Sequence, residues 1–182
     1  KAFQQLRGFR IVYVFDVSQT EGEELPDLDA VLPKLLDGDA PEGIWDALVA
    51  QAVSAGFEVI RNQKRGENGY CDFLNKRISV RPDVSPAQAV KTLVHEFGHA
   101  LLHVDDAVTS REVAETEVES VAYIVCDAIG LDTGDYSFAY VARWANGSCE
   151  LIEETAERVI NCAKGLLATL TAGPQYWGSR LS

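Results

Sequence analysis

Apolar residues recur at helical spacing in several stretches of this chain, with shorter runs of strand character between them. Ile44, Trp45, Leu48, Val49, Ala52 and Val53 mark one face of a helix that opens at Pro41, runs to about Ala55 and is capped by Gly56. Phe57–Arg61 reads as a short strand, Asn62–Asn68 as a polar loop, and Gly69–Leu74 with Arg77–Arg81 as a hairpin around Asn75-Lys76. Ser85-Pro86 then supplies an N-cap and a first helical residue, with Gln88 at the capping-box position. Val90, Leu93, Val94, Phe97, Leu101 and Leu102 follow at helical spacing, which predicts a helix over 86–104. Thr109-Ser110-Arg111-Glu112 opens a further helix over 111–129, closed by Gly130, with Val118, Val121, Ala122, Val125 and Ile129 as its stripe. Asp135 caps a short helix to about Ala145, Asn146-Gly147-Ser148 breaks the chain, and a last helix runs from Cys149 to Leu170. Its first turns carry Glu150, Glu153 and Glu154, the sign the helix dipole favours there. The pattern is α+β: a small antiparallel sheet with helices on one side.

The chemistry is concentrated on the helix predicted over 86–104. His95-Glu96-Phe97-Gly98-His99 has the H-E-x-x-H form, and an i, i+4 pair on an α-helix is offset by only about 40° around the axis, so the two imidazoles converge on one ion. Glu96 lies beside them, where it can take a proton from a water activated by the metal. Gly98 weakens the helix relative to Ala, which a close backbone approach by another element would explain. The chain has three histidines and all lie here. His103 continues the i+4 series, but it sits about 12 Å of rise beyond His95, too far for one ion to span, so it reads as structural or as a support to the ligands.

A catalytic zinc takes three protein ligands and keeps one position open. The helix over 111–129 is dense in carboxylates in its first half. Glu115 and Glu119 share one flank of its apolar stripe, Glu117 lies on the other, and Glu112 is nearer to solvent. Glu115 and Glu119 are therefore the candidates for the third ligand. As like charges at i, i+4 they repel, and a bound cation would offset that repulsion.

The run His-Glu-Phe-Gly-His-Ala-Leu-Leu-His, followed by Glu115-Thr-Glu117-Val-Glu119-Ser-Val-Ala122, resembles the zincin-like metallopeptidases of the ImmA/IrrE type, whose second motif is Glu-x-Glu/Gln-Ala-Asn/Asp-x-Phe-Ala. Within that group it is most similar to the peptidase domain of ArdC-type antirestriction proteins. The resemblance implies one Zn²⁺ held by His95, His99 and Glu115, with Glu119 supporting the site from behind and Glu96 as general base. Glu119 stands where the pattern has Asn or Asp, and Val118 and Val121 stand for Ala and Phe; a carboxylate as long as Glu119 can itself reach the metal. Residues 68–81 and 131–145 look like stretches of the same proteins. Val14–Thr20 looks like the tail of a single-stranded-DNA-binding domain that precedes the peptidase in them. On this reading residues 1–40 are a strand and acidic linker ending such a domain, 41–172 the zincin-like metallopeptidase domain, and 173–182 a tail. Tyr70, Tyr136 and Tyr140 are candidates to hydrogen-bond the oxyanion. The substrate class is a protein or peptide, held against the edge strand near Arg77–Arg81. The alternative is a catalytically silent zinc-containing module attached to the upstream DNA-binding part.

Composition narrows the partners. The net charge of −12 argues against this domain gripping a phosphate backbone, and residues 16–46 carry ten Asp/Glu against Lys34. No apolar run approaches the ~18–20 residues a membrane span needs, and no signal-peptide pattern is visible. Cys71, Cys126, Cys149 and Cys162 are scattered with no C-x-x-C pair, which reads as reduced thiols of a cytoplasmic protein. With no Met, the chain reads as a fragment or a processed product.

Overall fold

The computed structural model describes residues 35–62, 67–104, 109–133 and 149–170, all within the compact unit Pro33–Ser182. The expected strand and acidic linker as far as residue 34, the short helix at 135–145 and the tail lie outside the described residues.

The elements in chain order are helix α1 (Ile44–Ser54), strands β1 (Glu58–Arg61), β2 (Gly69–Asp72) and β3 (Arg77–Val80), then helices α2 (Pro86–Leu102), α3 (Arg111–Ala128) and α4 (Cys149–Leu170). The fold class is α+β and is compatible with a zincin-like ImmA/IrrE fold. The sheet differs from expectation in being mixed. Its order is β1-β3-β2, with β3 parallel to β1 and antiparallel to β2. The tight turn at residues 73–76 fixes the β2–β3 hairpin, with Lys76 at φ 49° and the Asp72 carboxylate accepting from Asn75 N at 3.0 Å. The chain leaving β1 passes the place that β3 later fills, so β3 enters the sheet as its middle strand. The edge strands are therefore β1 and β2, not the segment near Arg77–Arg81.

Helix α2 starts where the cap signals place it: Ser85 Oγ accepts from Gln88 N at 3.1 Å. The Gln88 side chain does not close the box. It accepts from Leu36 N at 2.9 Å and donates to Thr92 Oγ1 at 3.0 Å, so it ties the stretch before α1 to α2. Ala87 N adds a bond to Gly38 O at 3.2 Å. Ser110 caps α3, accepting from Val113 N, and Gly130 follows that helix at φ +86°, a conformation that favours glycine. Leu48, Ile78, Val90, Leu93, Phe97 and Val125 are fully or almost fully buried and join α1, the sheet, α2 and α3 in one core. Leu101, expected in that core, is 43% exposed and lines an apolar groove of about 990 Å³ between α1, α2 and α4.

Gly98 sits where α2 and α3 touch. A Cβ there would lie 3.2 Å from Val118 Cγ1 and 3.3 Å from its Cβ, so the missing side chain lets the two helices approach. This contact sets the spacing of the groups that the two helices face toward each other.

Candidate metal centre

His95, His99 and Glu115 each offer one ligand atom, and these atoms all lie within 4.8 Å of one another. Glu115 Oε2 is 3.4 Å from His95 Nε2 and 3.8 Å from His99 Nε2. Ligand atoms about 2.1 Å from a tetrahedral ion stand roughly 3.4 Å apart, so two imidazoles and a carboxylate at these separations fit a divalent metal with little movement. Each helix contributes for a simple reason: i, i+4 spacing stacks the histidines on α2, and Glu115 on the first turns of α3 faces them across the Gly98–Val118 contact.

Glu119 takes a different part. Its Oε2 accepts from His95 Nδ1 at 3.0 Å, and it pairs with Lys91 Nζ at 2.9 Å. Both Lys91 and Glu119 are buried. With Nδ1 donating to Glu119, the lone pair of His95 Nε2 is directed toward Glu115 and the ion site. The sequence reading did not single out Lys91, although it precedes His95 by one helical turn. His103 is buried and does not join the ligand group. Its Nδ1 lies 3.2 Å from His99 Nδ1, and its Nε2 lies 2.8 Å from Glu117 Oε2.

Electrostatics follow from crowding four acids and three imidazoles in low dielectric. Burial works against a charge on His95, but hydrogen bonds to Glu115 and Glu119 outweigh it and raise His95 to about 9. Burial would also raise Glu115 and Glu119. The imidazoles overturn this at Glu115, which is held well below the usual carboxylate range, and His95 with Lys91 lowers Glu119 to about 2. Lys91 is itself lowered by burial, against the pull of Glu119. His103 is lowered, chiefly by burial, against Glu117. Glu96 is raised to about 7, mainly by burial and further by Glu115, while the His95 charge opposes the shift. It is thus a carboxylate poised near neutrality beside the ligands.

Lys91, His95, Glu96, His99, Glu115 and Glu119 line an open cleft of about 470 Å³ that is also lined by the edge strand β2, with Gly69, Tyr70 and Cys71, and by Phe73 and Arg111. Tyr70 is thus beside the ion site, whereas Tyr136 and Tyr140 lie outside the described residues. Gly69 packs so closely that a Cβ would meet Thr92 Cγ2 at 2.5 Å and Glu96 Cγ at 3.0 Å. Cys71 is pushed up to about 12 by burial and by the Glu96 charge, and Cys126 to about 12 by burial, so neither is a thiolate nucleophile at neutral pH.

Residues 52–134 match a peptidase family model described as the IrrE N-terminal-like domain, which supports the ImmA/IrrE family. The chain is also similar to an uncharacterized protein of Bacillus anthracis, 33% identical over 79 residues, which is 37% of this chain and 13% of that protein. No solved structure matches. The matched span holds α2, α3 and every group of the cleft. The resemblance is thus to a metallopeptidase-like domain. No helix among the described residues is long and apolar enough to cross a membrane.

Proposed function

We propose that this domain is a zinc-dependent peptidase in which His95, His99 and Glu115 hold the ion and Glu96 is the general base. The convergence of two imidazole nitrogens and one carboxylate oxygen within 4.8 Å, with a near-neutral carboxyl beside them in an open cleft, carries this reading. Bound zinc would supply Lewis acidity, polarising the scissile carbonyl and acidifying water. Glu96 takes the proton of the attacking water and returns it to the leaving amine. Its burial holds its basicity at the level this exchange needs at neutral pH. Strand β2 offers an extended peptide its backbone groups, in the manner of an added strand. Tyr70 is the candidate to donate a hydrogen bond to the oxyanion.

The wider setting is supported by sequence alone. The ArdC-type resemblance favours an antirestriction role beside an upstream single-stranded-DNA-binding domain. The net charge of −12 assigns any nucleic-acid contact to that upstream part, and the scattered cysteines fit the cytoplasm.

Metal analysis of the purified chain tests the reading. About one zinc per chain is expected, lost in Glu115→Ala and retained in Glu96→Gln. Glu96→Gln should reduce cleavage of a labelled protein substrate by about 10²–10⁴-fold. Wild type that takes up no zinc sinks the peptidase reading. Zinc without a Glu96-dependent cleavage leaves a silent metal-bearing module.

A further inference from the structure

Three acids at alternate positions of α3 face three histidines of α2. Glu115 and Glu119 have been accounted for by the ion site and by His95. Glu117 has not. It is fully buried, and its Oε2 lies 2.8 Å from His103 Nε2. Its Oε1 makes no hydrogen bond of acceptable angle, yet it is 3.3 Å from Arg158 Nε, an ion pair by distance. Arg158 comes from α4 and also donates to Leu102 O, at the end of α2, at 3.0 Å. The chain of contacts therefore runs from α4 through Arg158, Glu117 and His103 to His99 Nδ1.

We infer that His103, Glu117 and Arg158 are positioning residues that lock the His99 ring and its tautomer, so that Nε2 is presented unprotonated to the metal. This inference rests on the metal-site reading above. Proton bookkeeping fixes the direction. A Glu117 carboxylate paired by distance with the Arg158 guanidinium can only accept from His103, so the 2.8 Å contact is a hydrogen bond when His103 carries its proton on Nε2. A neutral His103 then has a lone pair on Nδ1, and the 3.2 Å contact with His99 Nδ1 is a hydrogen bond only if His99 donates. A proton on His99 Nδ1 leaves the Nε2 lone pair facing Glu115. His95 reaches the same state through Glu119 directly. His99, one turn further along α2, reaches it through an intermediate imidazole because Glu117 lies on the other flank of α3. The exposed end of the relay is on α4, outside the span 52–134 that carries the family match.

Two measurements test this on the whole chain. The first is the long-range proton–nitrogen spectrum of the zinc-loaded protein, in which three histidines give an uncrowded imidazole region. Wild type should show His103 as the Nε2–H form. His103 in the Nδ1–H form would overturn the inference. The second is zinc affinity by chelator competition. Glu117→Gln, which keeps the packing volume but weakens the tautomer preference, should loosen zinc about 10–100-fold. His103→Asn, whose amide oxygen falls near the position of Nδ1, should retain more affinity than His103→Leu. Arg158→Met changes a partly exposed side chain, so it tests the far end of the relay in a folded protein. It should weaken zinc less than Glu117→Gln but measurably. Unchanged affinity in both Glu117→Gln and Arg158→Met overturns the relay alone. Wild type without zinc overturns the relay and the metal site together.

Discussion

Gly69→Ala adds one methyl group at the closest approach of the sheet to α2. The new Cβ would lie 2.5 Å from Thr92 Cγ2, 2.8 Å from Ser79 O and 3.0 Å from Glu96 Cγ. Comfortable carbon contacts are about 3.5–4.0 Å, so β2 and α2 must separate by about 1 Å or rotate past each other. Rotation of Thr92 relieves the first contact. The second is with the backbone of β3 and cannot be relieved without disturbing the ladder in which Gly69 pairs with Val80. Overpacking of this kind costs about 1–3 kcal/mol, and the backbone contact places Gly69→Ala in the upper half of that range. The third contact reaches Glu96, the proposed general base. A shift of Glu96 by a few tenths of an ångström should lower turnover about tenfold, given that a 1 Å misplacement costs about 10²-fold. Urea unfolding of metal-free protein reads the first effect, and cleavage of a labelled protein by zinc-loaded enzyme reads the second. Thr92→Ser in the same chain removes Cγ2 while keeping the hydroxyl that Gln88 needs, and should recover part of the stability. If Gly69→Ala is within about 0.5 kcal/mol of wild type and equally active, the account of this contact is wrong.

Lys91→Met removes the buried cation paired with Glu119 and should cost about 3–5 kcal/mol in chemical denaturation, with much of the loss recovered in Lys91→Met/Glu119→Gln. Gly98→Ala gains about 1 kcal/mol of helix propensity but pushes against Val118 at 3.2 Å, so global stability should change little while chelator competition shows weaker zinc binding. In metal-free protein the His95 contribution, set by a rise from 6.5 to about 9, is full below pH 6.5 and is lost as pH rises through about 9; it amounts to roughly 2–3 kcal/mol at most. Glu96, raised from 4.5 to about 7, adds a loss of the same sign as pH rises through about 7. Zinc competes with the His95 proton, so its stabilisation grows with pH, and the melting-temperature gap between zinc-loaded and metal-free protein should widen from pH 6 to 9. A gap that stays constant over this range in differential scanning calorimetry contradicts the proton competition.

Helices α2 and α3 were readable from the chain because their signals are local. Ser85 and Ser110 mark their starts, and the apolar stripes fix their faces. The helical wheel put Glu115 and Glu119 on one flank and Glu117 on the other, but which histidine each acid meets was not readable from it. The mixed sheet was not readable, because strand order is decided by pairing across the fold and not by the residues between Phe57 and Arg81. The division of labour between Glu115 and Glu119 needed Lys91, and a lysine among apolar residues of α2 reads as a solvated side chain until α3 covers it. Arg158 was invisible for a stronger reason: it lies far along the chain from Glu117, with no local pattern linking them. Among the described residues, nothing bears on the roles considered for Tyr136 and Tyr140.

The ligand atoms of the ion site all come from residues 95–115, whereas the relay that braces His99 ends on Arg158. During synthesis the ribosome therefore releases the whole set of zinc donors several seconds before it releases α4, at about 5–20 residues per second. A nascent chain can bring these donors together with His95 already oriented by Glu119, while Glu117 still lacks the contact of Arg158. Arrival of α4 then adds that contact behind His103. If the proposed site holds zinc, its capture and its full bracing thus fall at different moments in the life of the chain, and fluctuations of α4 should be felt at His99 through Arg158, Glu117 and His103.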